Sequence, residues 1–186
     1  MCALLVGAII YKVASDQPAP RVPAMANPGA AAGNAVGAAG AAPDISQLSP
    51  RERFDRLFNR IMTAAQANDT AQVVRFTPMA LGAYSQLDTV DADARYHAAV
   101  LYLQTGDADA ASALADTILA QAPGHLFGYL VRANAAQLRN DSAGLASARR
   151  DFQSHFAAET AARRPEYAEH APIIEEFKRE ADGQKP

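Results

Sequence analysis

Between Leu48 and Asp182 every segment long enough to hold secondary structure has the apolar spacing of a helix, and the breaks between segments are only a few residues long. Short helices joined by tight turns cannot bury their apolar faces alone, so they must stack on their sequence neighbours. The first begins at "SPRERF". Ser49 is placed to cap it, Pro50 takes the first helical position and Glu52 completes a capping box. Phe54, Leu57, Phe58, Ile61, Met62 and Ala65 then fall on one face. Asn68-Asp69 ends that helix. A second starts near Thr70 with Val73, Val74 and Phe76 as apolar positions, and Pro78 is expected to kink or restart it. A turn through "DTVDAD" follows, then helices over 95–104, 109–121, 127–138 and 143–158. A last helix is expected from Pro165 to near Gly183. The fold class is therefore all-α.

Composition agrees. Hydrophobic residues make up 49% of the chain and aromatics 7%, with alanine supplying much of the apolar content. A methyl side chain lets two helix backbones approach closely, and alanine has the highest helix propensity. The formal net charge of −3 gives no reason to propose a nucleic-acid partner. The one cysteine, Cys2, excludes an internal disulfide and a cysteine-rich zinc site.

The most specific stretch is Arg95 to Pro123, which resembles a tetratricopeptide repeat. Ala98 and Ala99 fall where that family has small residues, Tyr102 matches its aromatic, Gly106-Asp107 its turn, Ala111 its small residue on the second helix and Pro123 its terminating proline. Tyr129 and Ala133 match in the following unit, with Asn140-Asp141 at the turn and Leu145 where alanine is usual. The unit from Phe54 to Tyr84 has apolar matches only. Arg95 and Ile118 depart from the family pattern, which often has Trp and Ala there. The resemblance implies a short solenoid of antiparallel helix pairs with a C-terminal capping helix over 48–183. In physical terms Gly106 supplies positive φ at a helix end. Asp107 or Asp109 supplies the next cap.

Two further zones precede the helices. Met1 to Tyr11 carries no charge, and Lys12 closes the run. Eleven helical residues reach roughly 16 Å against about 30 Å of hydrocarbon. The chain therefore starts upstream, or is half an anchor completed by a neighbour, or carries a signal peptide. A signal peptide would want a positive n-region, and "AMA" at Ala24 to Ala26 sits too far downstream for its cleavage site. Residues 1–14 are read as a membrane anchor. A lipoprotein cysteine follows an apolar run, whereas Cys2 precedes one, so it is read as an apolar anchor residue. Residues 15–47, rich in Ala, Gly and Pro with Arg21 their one cation after the anchor, form a linker. An anchor, a tether and a repeat domain together suggest the periplasmic side; Lys12 and Arg21 point weakly the other way.

Signatures of chemistry are sparse. His97, His125, His155 and His170 show no H-x-x-x-H or H-E-x-x-H spacing, so no metal site and no cofactor are expected. No haem-attachment, phosphate-loop or nucleophile-elbow motif occurs. His125 follows Pro123-Gly124 and is expected to be exposed in an inter-repeat turn. Glu175 can pair with Arg179 one turn on. The chain is thus read as a non-enzyme. Arg53, Arg56 and Arg60 share one face of the first helix, a candidate contact strip for anionic lipid or an acidic partner. The resemblance implies a protein-binding scaffold, an accessory subunit of a larger membrane complex such as a respiratory or photosynthetic electron-transfer assembly. The alternatives are an envelope assembly factor or chaperone of the cytochrome-maturation or translocon-associated kind, and an enzyme whose catalytic groups converge from distant positions.

Deleting Met1 to Tyr11 is expected to release the protein from membranes with its helical circular dichroism intact. Sedimentation after a high-salt wash measures the first effect, and the far-ultraviolet spectrum of the released chain the second.

Overall fold

A computed structural model describes residues 48–183, in which eight helices and no strands occur. They are α1 (Pro50–Gln66), α2 (Thr70–Tyr84), α3 (Ala92–Gln104), α4 (Ala108–Gln121), α5 (Leu126–Leu138), α6 (Ser142–Ala161), α7 (Pro165–Glu169) and α8 (Ala171–Ala181). The all-α expectation holds over this span. The anchor and linker expectations fall on residues outside it. No helix among the described residues is long and apolar enough to cross a membrane.

The same turn recurs at three helix ends. Asn68, Gly106 and Asn140 adopt positive φ of 56°, 86° and 57°. After each, an aspartate amide returns to the carbonyl five residues back: Asp69 to Ala64 at 2.8 Å, Asp107 to Tyr102 at 2.9 Å and Asp141 to Ala136 at 2.8 Å. This bond satisfies a carbonyl that the helix leaves open at its C-terminus. Each aspartate then turns to the next helix and accepts from its third amide, that of Gln72, Ala110 or Gly144, at 2.9–3.1 Å. One dipeptide thus stops a helix and starts another. The capping box at Ser49 and Glu52 forms as its sequence requires, with the Ser49 amide donating to Glu52 Oε2 at 3.0 Å.

Consecutive helices from α1 to α6 pack against each other, as do α7 and α8; α1, α3 and α5 also touch in series, with α8 set against α5 and α6. The seams are lined by small residues. Ala98, Ala99, Ala111, Ala115 and Ala135 are fully buried. Gly128 on α5 faces α4 so closely that an added Cβ would lie 2.5 Å from Leu119 Cγ. Larger side chains fill the remaining volume, including Phe54, Ile61, Leu101, Ile118, Phe127 and Phe152, all at 0–1% exposure.

Several expectations change. Helix α2 runs unbroken through Pro78, so no restart occurs there. Val74, whose carbonyl loses its helical donor to Pro78, is 62% exposed and does not share the core with Val73 and Phe76. Water can take the missing donor's place. Helix α3 begins three residues earlier than expected, because Asp91 caps it by accepting from Ala94 N at 2.7 Å. The expected single last helix is two. Pro172 cannot donate to a carbonyl four residues back, and the chain bends at His170 between α7 and α8. Glu175 and Arg179 are both exposed, and no ion pair joins them; Arg149 lies 3.7 Å from Glu180 instead.

Ala111→Leu is expected to overpack the α3–α4 seam and cost roughly 1–3 kcal/mol. Thermal melting should fall by several degrees, read by circular dichroism at 222 nm.

Candidate functional site where four helix N-termini meet

Stacking α1, α3, α5 and α8 in parallel brings their N-terminal ends to one edge of the fold. Arg51 of α1 spans to α3, with Nη1 2.9 Å from Asp91 Oδ2 and Nη2 2.9 Å from Asp93 Oδ2. Its Nε is held by Asp55, 3.0 Å away and one turn on. From the other side His170, at the bend before α8, sets Nε2 2.9 Å from Asp93 Oδ1. The wall behind them is aromatic. Tyr96 stacks on Phe127 with centroids 4.4 Å apart, and the His170 ring meets Phe127 edge-on at 5.0 Å.

Asp93 and His97 lie one turn apart on α3, so both face this edge. His97 Nε2 is 3.7 Å from Asp93 Oδ1, the oxygen that also meets His170. The three ligating atoms lie within 4.8 Å of one another. The His97 ring is fixed by stacking on Phe58 at 4.0 Å, and its Nδ1 is buried without a hydrogen-bond partner. Burial drives the His97 imidazole down to about 4, so it is neutral at physiological pH. Asp93 goes the opposite way. Burial alone would raise its carboxyl, but the His170 hydrogen bond and the electrostatic pull of its neighbours, the Arg51 guanidinium among them, outweigh burial and hold it below the usual range. The edge therefore holds a neutral imidazole beside a carboxylate whose other oxygen is taken by a guanidinium. Asp93, His97 and His170 are the residues here that could hold a metal.

A second polar group closes the floor. His125 is 1% exposed, not an exposed turn residue as its place after Pro123-Gly124 suggests. Helix α7 folds over it. Its Nδ1 accepts from Phe127 N at 3.3 Å, capping α5, and Nε2 lies 3.1 Å from Glu166 Oε1. Tyr167 accepts from Leu126 N at 2.9 Å and donates to Glu159 Oε2 at 2.7 Å. Arg164 Nε binds the same oxygen at 2.7 Å. Each polar group is answered by another, which ties α7 to α5 and α6 and explains why so polar a cluster can be buried.

The residues singled out by sequence lie elsewhere. Ala98, Ala99, Ala111, Tyr129 and Ala133 are buried in the seams, Tyr102 is half-buried, and Gly106 and Asp107 make the turn. Pro123 is exposed after α4. The basic strip is divided. Arg53 donates to Leu48 O at 3.2 Å, and Arg60 lies over the Phe76 ring at 4.0 Å while donating to Gln72 at 3.1 Å. Both brace the start of the fold or the α1–α2 hairpin, and Arg56 between them is exposed. Sequence reasoning missed Asp93, His97, His170 and Arg51. The available signal was the Asp-x-x-x-His spacing of Asp93 and His97, hidden by assigning Asp93 to a turn.

Burial holds His125 and His97 below the 6.5 of a free imidazole; at His125 it outweighs the Glu166 carboxylate, which pulls the other way. An unfolded chain therefore takes up protons below about pH 6.5 that the folded chain refuses. The stability these residues confer is complete above that pH and is lost as pH falls towards 4. Melting temperature is expected to drop between pH 7 and pH 5, by less in His125→Asn, which keeps a capping oxygen but does not titrate. Neither family models, nor curated proteins, nor solved structures give a match to this chain.

Proposed function

We propose that this chain is a non-catalytic protein-binding scaffold of tetratricopeptide-like build, tethered to a membrane by residues 1–14 and serving as an accessory subunit of a larger membrane complex. The observation that carries the reading is the threefold turn. Asn68-Asp69, Gly106-Asp107 and Asn140-Asp141 use one hydrogen-bonding scheme and lie thirty-eight and thirty-four positions apart. Thirty-four residues is the length of a tetratricopeptide unit. The series contact of α1, α3 and α5 supports the same reading, since stacked helix pairs present extended surfaces to protein segments. The Arg56 side of α1 is the surface favoured for the partner, because Arg56 is the exposed member of the strip.

The test is native purification from mild detergent with mass spectrometry of what co-migrates. The expected result is integral-membrane polypeptides in fixed ratio with the full chain. A chain that elutes alone under these conditions overturns the reading. Arg56→Gln is expected to weaken the purified complex at low salt by about fivefold, the effect of about 1 kcal/mol for one charge near an anionic surface. It should leave the melting temperature unchanged. The difference should shrink as ionic strength rises.

A further inference from the structure

We propose that Asp93, His97 and His170 form a binding site for a divalent first-row transition metal of the zinc class, which ties the start of α3 to the start of α8. Two imidazole nitrogens and one carboxylate oxygen make a three-ligand set that leaves a coordination position for water. The spacing suits such an ion. Bonds of about 2.0–2.1 Å in a tetrahedron put neighbouring ligand atoms about 3.3 Å apart. Asp93 Oδ1 lies 2.9 Å from His170 Nε2 and 3.7 Å from His97 Nε2, one on each side of that distance. Small side-chain rotations equalise them. Both histidines present the same atom, Nε2, towards one oxygen.

The surroundings fit the role. Arg51 takes only Asp93 Oδ2, at 2.9 Å, and leaves Oδ1 to the metal. It fixes the carboxylate as an outer-shell partner does, and Asp55 and Asp91 hold the guanidinium in turn. Stacking on Phe58 orients His97, and edge contacts with Tyr96 and Phe127 orient His170. The three side chains keep 11–14% exposure, so an ion can enter from solvent. Two nitrogen donors of three disfavour Mg²⁺ and Ca²⁺, which prefer all-oxygen shells. Because Asp93 and His170 belong to helices far apart in sequence, the bound ion stabilises the closed arrangement of α8 on the earlier helices.

The experiment uses the full chain without a polyhistidine tag, stripped with chelator and titrated with Co²⁺ and then Zn²⁺. The expected result is visible d–d absorption saturating at one Co²⁺ per chain and bleached by Zn²⁺. Zn²⁺ at about a hundredfold its Kd should raise the melting temperature by roughly 5 °C, and Mg²⁺ should not. His97→Gln and His170→Gln should each weaken Co²⁺ binding by on the order of 100-fold, with unchanged circular dichroism, while His155→Gln binds as the parent does. His170→Cys should bind again, with a new sulfur-to-cobalt band in the near ultraviolet. No Co²⁺ absorption in the parent chain overturns the proposal. So does absorption that survives the double change of His97 and His170 to Gln, or a sulfur-to-cobalt band in the parent, which would assign the ion to Cys2.

Discussion

Each of the three recurring turns depends on one residue in the left-handed conformation followed by one aspartate. The left-handed residue lets the chain leave a helix and close the amide-to-carbonyl bond five residues back, at 2.8–2.9 Å in all three turns. Glycine reaches that conformation without steric cost and asparagine with little. The aspartate then sets the direction of the next helix by capping it. Because each turn is the same, each pair closes in the same sense, and the first helices of the pairs line up beside one another. Alanines and Gly128 then let neighbouring backbones approach. The turn and the seam act together: a correct turn with a bulky seam would splay the pair, and a small-residue seam without the turn would leave its direction open.

The alignment has an electrostatic consequence. Helices whose N-termini gather on one edge bring together their unsatisfied amides and the positive ends of their dipoles. Carboxylates are favoured there, and Asp91, Asp93 and Glu166 occupy it. Arg51 is a cation at a helix N-terminus, where the dipole opposes it. It is held because Asp55, Asp91 and Asp93 surround it. His125 and His97 suit such an edge because burial keeps their imidazoles neutral, and His125 accepts from an amide there without adding positive charge. The dense aromatic packing of Tyr96, Phe127, Tyr167 and His170 excludes water from much of this edge, which strengthens each polar contact inside it.

The C-terminal helices are more than a lid on the last pair. Tyr167 reaches Leu126 N and Glu159, and His170 reaches Asp93, so α7 and the bend after it join the first turns of α3 and α5 to the end of α6. The break at Pro172 makes this possible.

How much could be read from the chain alone follows the range of the interactions. Helix type, the capping box at Ser49, the turns at Asn68, Gly106 and Asn140, and the burial of Ala98, Ala99 and Ala111 rest on spacing within a few residues, and all were legible there. The start of α3 was misplaced because Asp91 and Asp93 are equally good turn residues, and only the bond to Ala94 N decides which of them caps. The burial of His125 and the meeting of His97 with His170 depend on α7 and α8 folding back across the earlier helices. No local pattern encodes a contact between Asp93 and His170, seventy-seven positions apart. The division of the arginine strip has the same cause: Arg53, Arg56 and Arg60 are equivalent by spacing, and what distinguishes them is that Gln86, just past α2, and Leu48 O take Arg53 while Gln72 of α2 takes Arg60. The sequence by itself determined helices, turns and small-residue seams, because those are set by backbone conformation and nearest neighbours. The tertiary structure alone decided which polar side chains are buried together, because that depends on where distant helix ends are carried by the stack.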